Sequence, residues 1–332
     1  MAKAAKGRRR GALCLCAFVT MGALITAPGA NAAPELDLTN FIPEELSAAL
    51  PDDTGLLVHI DFKPSSDHFL NGARLVSMTA NVTPAGDIQL GHAVTAADLG
   101  IPADLGIPED VIIPECSDPG FEPTGYGWDP VAMPIAWQYR ARSFRKRLGR
   151  NAVLRDLKKA HRAWDRDTTE CSEESDSNFG YAYAGRTKRA LKLDTVNIVE
   201  RGRLPSGALA TLYQWYRDSQ IIESDLRLSK GTQWGTMTPP KPRRHFLTAG
   251  GSAFRHARPA TARQSSLGRR AKRYRRFVVA NVAAHEFGHD AGLEDLGAPH
   301  GELTMYASIS RGEHEKVTLG AGDLFGTFLL NP

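Results

Sequence analysis

The residues best placed to do chemistry lie in the run His285-Glu286-Phe287-Gly288-His289. Residues four apart share a helix face, so the two imidazoles can reach one metal ion while Glu286 stands beside it. This is the residue set of zinc-dependent hydrolysis. A zinc ion held by neutral imidazoles lowers the pKa of its bound water toward about 7, and a neighbouring carboxylate takes the proton as that water attacks a carbonyl. Gly292 follows His289 by three residues, where a left-handed turn can end the helix and send the chain back toward the metal. Asp295 lies three residues further on and His300 five beyond that, so the third ligand stands open between a carboxylate and an imidazole.

The order His-Glu-x-x-His-x-x-Gly-x-x-Asp, followed by Met305, resembles the metzincin clan of zinc endopeptidases and, within it, bacterial matrixin-like proteins. The resemblance implies His285, His289 and Asp295 as ligands to one catalytic Zn2+, with His300 as the rival third ligand. It implies Glu286 as general base and Met305 as the residue of a tight turn beneath the metal. Tyr306, beside it, either shapes a substrate pocket or packs in the core. The implied fold is α+β: a twisted mixed β-sheet, an active-site helix and a small C-terminal subdomain. In that family the strand matching Ile221 to Leu228 is the sheet edge, and extended substrate pairs near it by strand addition. Glu223 and Asp225 then read as solvated edge-strand charges. Calcium stays possible, although no clustered run of His and Asp in the catalytic region has the spacing of a calcium or second zinc site.

The elements that must position these residues are partly legible. Thr54 to Phe62 and Ala73 to Val82 read as strands. Met133 to Tyr139 reads as another, and Val153, Leu154, Leu157, Ala160 and Trp164 recur at helical spacing within Ala152 to Asp165. Phe179 to Gly185, Asp194 to Val199 and Gln220 to Leu228 read as further strands, and the ligand-bearing helix as starting near Tyr274 or Phe277. A closing helix falls within Leu319 to Leu330, with Asp323 as a favourable charge at its start.

Charge and composition divide the chain. Residues 1–10 carry Lys3, Lys6, Arg8, Arg9 and Arg10, and the uncharged run that follows ends in Ala30-Asn31-Ala32. Residues 1–32 therefore read as a secretory signal, too short in its apolar run for a membrane span, and the expectation is a secreted, extracellular protein without a stable membrane anchor. Residues 33–127 hold 16 acidic against 2 basic residues, a net of −14; residues 128–332 hold 34 basic against 21 acidic, a net of +13. Opposite charges within one chain attract at ordinary ionic strength. Residues 33–115 are thus expected to form an acidic N-terminal segment, either a pro-segment that docks on the remainder or a plain spacer, and residues 116–332 the catalytic domain. Within the first, Ala97-Asp98-Leu99-Gly100-Ile101-Pro102 repeats at Ala103 to Pro108, which predicts a stiff linker.

Cys14 and Cys16 fall in the signal, leaving Cys116 and Cys171. In an exported chain such a pair is expected to form a disulfide, worth about 3 to 4 kcal/mol on the loop-entropy account. A Cys116 thiolate on the metal, as in latent matrixins, is the other option, but Pro114-Glu115-Cys116-Ser117-Asp118 lacks the Arg and Gly of that pattern. Fourteen Lys or Arg and no acidic residue lie between Leu226 and His285, nine of them within residues 255–276. With aromatic interleaving there limited to Tyr274 and, just before it, Phe254, no specific nucleic-acid partner is expected. Two functional readings follow. One is a secreted zinc endopeptidase acting on protein or peptide substrates; the other is a secreted, non-catalytic zinc-containing protein whose basic loop binds anionic polymers or cell-surface partners.

Overall fold

The computed structural model describes residues 36–48, 50–100, 113–165, 171, 177–237 and 275–331. The proposed signal, the linker after Gly100 and the basic loop up to residue 274 lie outside them. Among the described residues the architecture is one large mixed sheet and a separate two-stranded pair, with few helices, compatible with α+β.

The N-terminal part contributes α1 (Glu44–Ser47), β1 (Gly55–Phe62), β2 (Phe69–Leu70), β3 (Ala73–Val82) and β4 (Ile88–Thr95). The chain continues through β5 (Gly127–Trp128), β6 (Ile135–Tyr139), α2 (Arg150–Asp165), β7 (Tyr181–Arg186), β8 (Asn197–Gly202), β9 (Ala208–Arg217) and β10 (Gln220–Ser229). A small parallel pair, β11 (Trp234–Gly235) and β12 (Phe277–Val278), leads into α3 (Val279–Asp290), and α4 (Ala321–Leu330) closes the chain. The helix that carries His285 and His289 thus starts at Val279, because Phe277 and Val278 are taken by the β11 pairing.

The large sheet runs β2-β3-β1-β9-β10-β8-β6-β7, with β4 on β3 and β5 on β10. Strands β7, β6, β8 and β10 are parallel; β9 runs antiparallel to β10, and β1 antiparallel to β9. Asp218 and Ser219 both have positive φ, the backbone a two-residue hairpin needs, and this joins β9 to β10. Strands from either side of residue 115 therefore share one sheet.

This order corrects two expectations. Strand β10 is interior, between β9 and β8, and not the edge. Glu223 and Asp225 are fully buried and not solvated. Glu223 Oε2 accepts from the amides of Asp194 and Thr195, and the Asp225 carboxylate accepts from the amides of Lys192 and Ile198, so both satisfy backbone donors of the loop before β8 and of the start of β8.

Two apolar cores flank the sheet. On one side α2 and α3 pack through Leu157, Ala160, Trp164, Val282 and Phe287 onto Val199, Leu212 and Leu226. On the other, Phe41, Ile42 and Leu46 cover Leu56, Val58, Ile60, Tyr213 and Trp215. A disulfide joins Cys116 to Cys171. No helix among the described residues is long and apolar enough to cross a membrane.

Candidate metal centre

Helix α3 is buried along its whole length, because its sequence is apolar or small on the faces between the candidate ligands. Gly288 is required by packing: a Cβ there would lie 2.0 Å from Met305 Sδ and 2.7 Å from Trp164 Cζ2. Past the helix, Gly292 takes a φ of 90°, and Leu293 N donates to Gly288 O at 3.0 Å. This left-handed turn reverses the chain and brings Asp295 back over the histidines.

His285 Nδ1 lies 2.8 Å from Thr304 O, and His289 Nδ1 lies 2.7 Å from Leu293 O. With each Nδ1 turned to a backbone carbonyl, each Nε2 is the ring nitrogen that faces the cluster, the arrangement that orients metal-binding imidazoles. Asp295 Oδ1 stands 2.9 Å from His285 Nε2, and Oδ2 3.8 Å from His289 Nε2. His300 is not in this group; its Nδ1 lies 2.8 Å from Asp118 Oδ1.

A fourth residue joins them. Asp61 Oδ1, from β1, lies 3.4 Å from His285 Nε2. Asp61, His285, His289 and Asp295 each offer a ligand atom, all within 4.8 Å of one another and all buried. A second, overlapping group is formed by His59, His289 and Glu294, with the His59 ring stacked on His289 at 4.3 Å. The Thr79 hydroxyl bridges His59 Nδ1 and Glu294 Oε2, 3.1 Å from each.

Asp61 Oδ2, His285 Nε2, both oxygens of Glu286 and Asp295 Oδ1 are buried without a hydrogen-bond partner. Each such orphan costs about 1–3 kcal/mol, more when charged, so five in one place argue for a missing partner. Two imidazole nitrogens and carboxylate oxygens are donors that suit a divalent metal cation. The residues fit a metal ion.

The electrostatics point the same way. Burial would lower the His285 pKa, but Asp61 and Asp295 outweigh it and raise it to about 10. Burial would raise Asp295, but His289 and His285 hold it below the usual carboxylate range. Burial first, and then the Asp61 carboxylate, push Glu286 well above the ordinary range. The cluster is thus a site that holds positive charge among carboxylates.

The turn below the ligands is also built. Thr304 N and Met305 N donate to the two oxygens of Asp323, at 2.8 and 3.2 Å, while Asp323 Oδ2 also accepts from Gly320 N at 2.9 Å. The carboxylate expected to favour the start of α4 therefore also pins the Met305 turn. Buried Lys316 donates to the carbonyls of Leu303, Thr304 and Tyr306. Tyr306 packs with Val94, Leu99 and Ala307 instead of facing open solvent, and its hydroxyl has no partner.

Asp61, His59 and Glu294 are the members of these two groups that the sequence did not single out. For the first two the one available signal was alternation: two apart on a strand, they share a face opposite Leu56, Val58 and Ile60. Comparison with family models and with curated protein sequences gives no match to this chain.

Proposed function

We propose that this chain is a secreted zinc-dependent endopeptidase of metzincin-like, matrixin-like type. The observation that carries the reading is the convergence of His285, His289 and Asp295, each imidazole fixed by a carbonyl at Nδ1, beside a buried Glu286 with no other partner. When bound, the ion would supply Lewis-acid polarisation of a carbonyl and a more acidic water. Glu286 accepts the proton of the attacking water and returns it to the leaving amine. His285, His289 and Asp295 hold position, backed by Thr304 O, Leu293 O and the Asp323-pinned turn. The Cys116–Cys171 bridge supports export to an oxidising compartment.

The test uses an unstructured protein substrate. Cleavage that a chelator stops, that zinc restores and that Glu286→Ala abolishes while retaining metal supports the reading; undiminished cleavage by that variant refutes it.

One observation favours a second reading, anion binding. A cavity of about 410 Å³ is lined by Arg145, Arg147, Arg201 and Arg276 with Trp234, and among the described residues no carboxylate lines it. Salt-sensitive retention on a polyanion that Arg145→Ala and Arg147→Ala weaken, with hydrolysis absent in every variant, would favour it over peptide cleavage.

A further inference from the structure

The arginine-lined cavity shares no residue with either metal-ligand group. Four stretches of chain meet there: the turn before α2, the end of β8, the segment from β10 into β11, and the residue just before β12. The geometry points to a binding site for a phosphate monoester of a ring-sized alcohol, with the phosphate on Arg201 and Thr232 at its floor and the ring against Trp234. This rests on the anion-binding reading of the cavity, names its ligand, and does not depend on whether the metal centre cleaves peptides.

Charge is the first observation. Close by, Arg140 and Arg227 are both neutralised by Glu200, the second at 2.7 Å. Arg201 is the next residue of β8 and so points to the opposite face, where it meets other cations. Among the described residues, none of Arg145, Arg147, Arg201 and Arg276 has an ion pair. Burial, and then the like charges of Arg145 and Arg147, pull the Arg201 pKa below its ordinary value. A bound dianion relieves that repulsion. A phosphate monoester carries about −1.5 to −2 charges near neutral pH, and guanidinium forks match its oxygens two at a time.

The second observation is a built floor. Arg201 is 5% exposed; its Nη2 donates to Lys230 O and its amide to Ser143 Oγ at 2.9 Å, so the group is fixed in place. Thr232 is 8% exposed, and its hydroxyl is buried without a partner. An unsatisfied buried hydroxyl is costly, and a phosphate oxygen is the acceptor this one lacks. The third observation is the wall and the room beside it. Trp234 Nε1 donates to Ser229 O at 2.7 Å, so the indole offers the cavity apolar surface and no donor. The volume of about 410 Å³ exceeds what one tetrahedral anion fills and falls within the range of small-molecule sites. A ring carried by the phosphate uses both.

The test is calorimetric titration of the full chain with glucose 6-phosphate, inorganic phosphate and glucose, at one ionic strength set by chloride. Wild type should bind glucose 6-phosphate saturably at a single site, inorganic phosphate at least about fivefold more weakly, and glucose not detectably. Thr232→Val keeps the side-chain shape and gives up no existing hydrogen bond. It should weaken the ester by about tenfold and leave the melting temperature of the ligand-free chain unchanged. Arg145→Gln combined with Arg147→Gln, both at the exposed rim, should also weaken it, and more at low salt than at high. Ester affinity unchanged in either variant, or inorganic phosphate bound as tightly as the ester, overturns the proposed site. Retention on immobilised polyphosphate with no saturable ester binding also overturns it, while leaving the wider anion-binding reading standing. Neither retention nor ester binding overturns both.

Discussion

Helix α3 carries a buried polar cluster on each of two faces, and they are built differently. Toward β7 and α2, Asp290 has both oxygens taken, by Tyr181 OH at 3.2 Å and Gln214 Nε2 at 3.0 Å, while the His161 ring is stacked between Trp137 and Phe287 and its Nδ1 meets Leu157 O. Toward β1, Glu286, His285, Asp295 and Asp61 converge and leave five polar atoms without partners. Burial is the same, and satisfaction differs. A satisfied cluster stabilises and specifies packing, whereas an unsatisfied cluster of complementary donors marks a place where something binds.

The comparison breaks most sharply at the ligands. Asp295→Ala should reduce zinc affinity by more than about 100-fold, beyond the 10–100-fold typical of residues that only orient a ligand, while His300→Ala should leave it within about twofold. Calorimetric zinc titration of the two variants checks this. A strong effect of His300 alone would move the third ligand.

Next in size is Glu286→Gln. It should keep the metal but slow chelator-sensitive hydrolysis by about 10²- to 10⁴-fold, the range of a lost general base. Steady-state kinetics on the most active form of the chain decides it.

Gly288→Ala probes the packing shared by both faces. Its methyl group meets Met305 Sδ and Trp164, and overpacking of this kind costs about 1–3 kcal/mol. Denaturant unfolding should register that loss.

On the satisfied face, Tyr181→Phe should cost about 1–3 kcal/mol, because it leaves Asp290 Oδ2 buried without this donor, with zinc affinity unchanged. His161 adds a pH dependence there. Burial lowers its pKa from 6.5 to about 3, so the unfolded chain binds a proton that the folded chain refuses between those values. Its contribution to stability is therefore whole above about pH 6.5 and lost as pH falls toward 3. His161→Phe should flatten that acid limb of the melting temperature; an unchanged slope would assign the loss to other groups.

The parts of the fold governed by local rules were readable. The spacing of Val153, Leu157, Ala160 and Trp164 places α2, and the four-residue spacing of His285 and His289 puts both on one face of α3. Strand β9 was not read, because Ala208 to Tyr216 is buried on both faces and so shows no alternation. Alternating charge in β10 imitated an exposed edge, whereas Glu223 and Asp225 point inward to cap loop amides. Asp61 is the clearest case: its partners lie far along the chain, and only strand pairing through β9 brings it to them. Local periodicity carries no information of that kind.

The central claim is that the unsatisfied face of α3 holds a metal. The most direct measurement is elemental analysis of the purified full chain, paired with its melting temperature before and after chelation. The account predicts close to one zinc per chain, its loss in His289→Ala, and a melting temperature that falls on chelation and recovers with zinc. A chain that carries no metal after incubation with zinc, and melts at one temperature with or without it, contradicts the account.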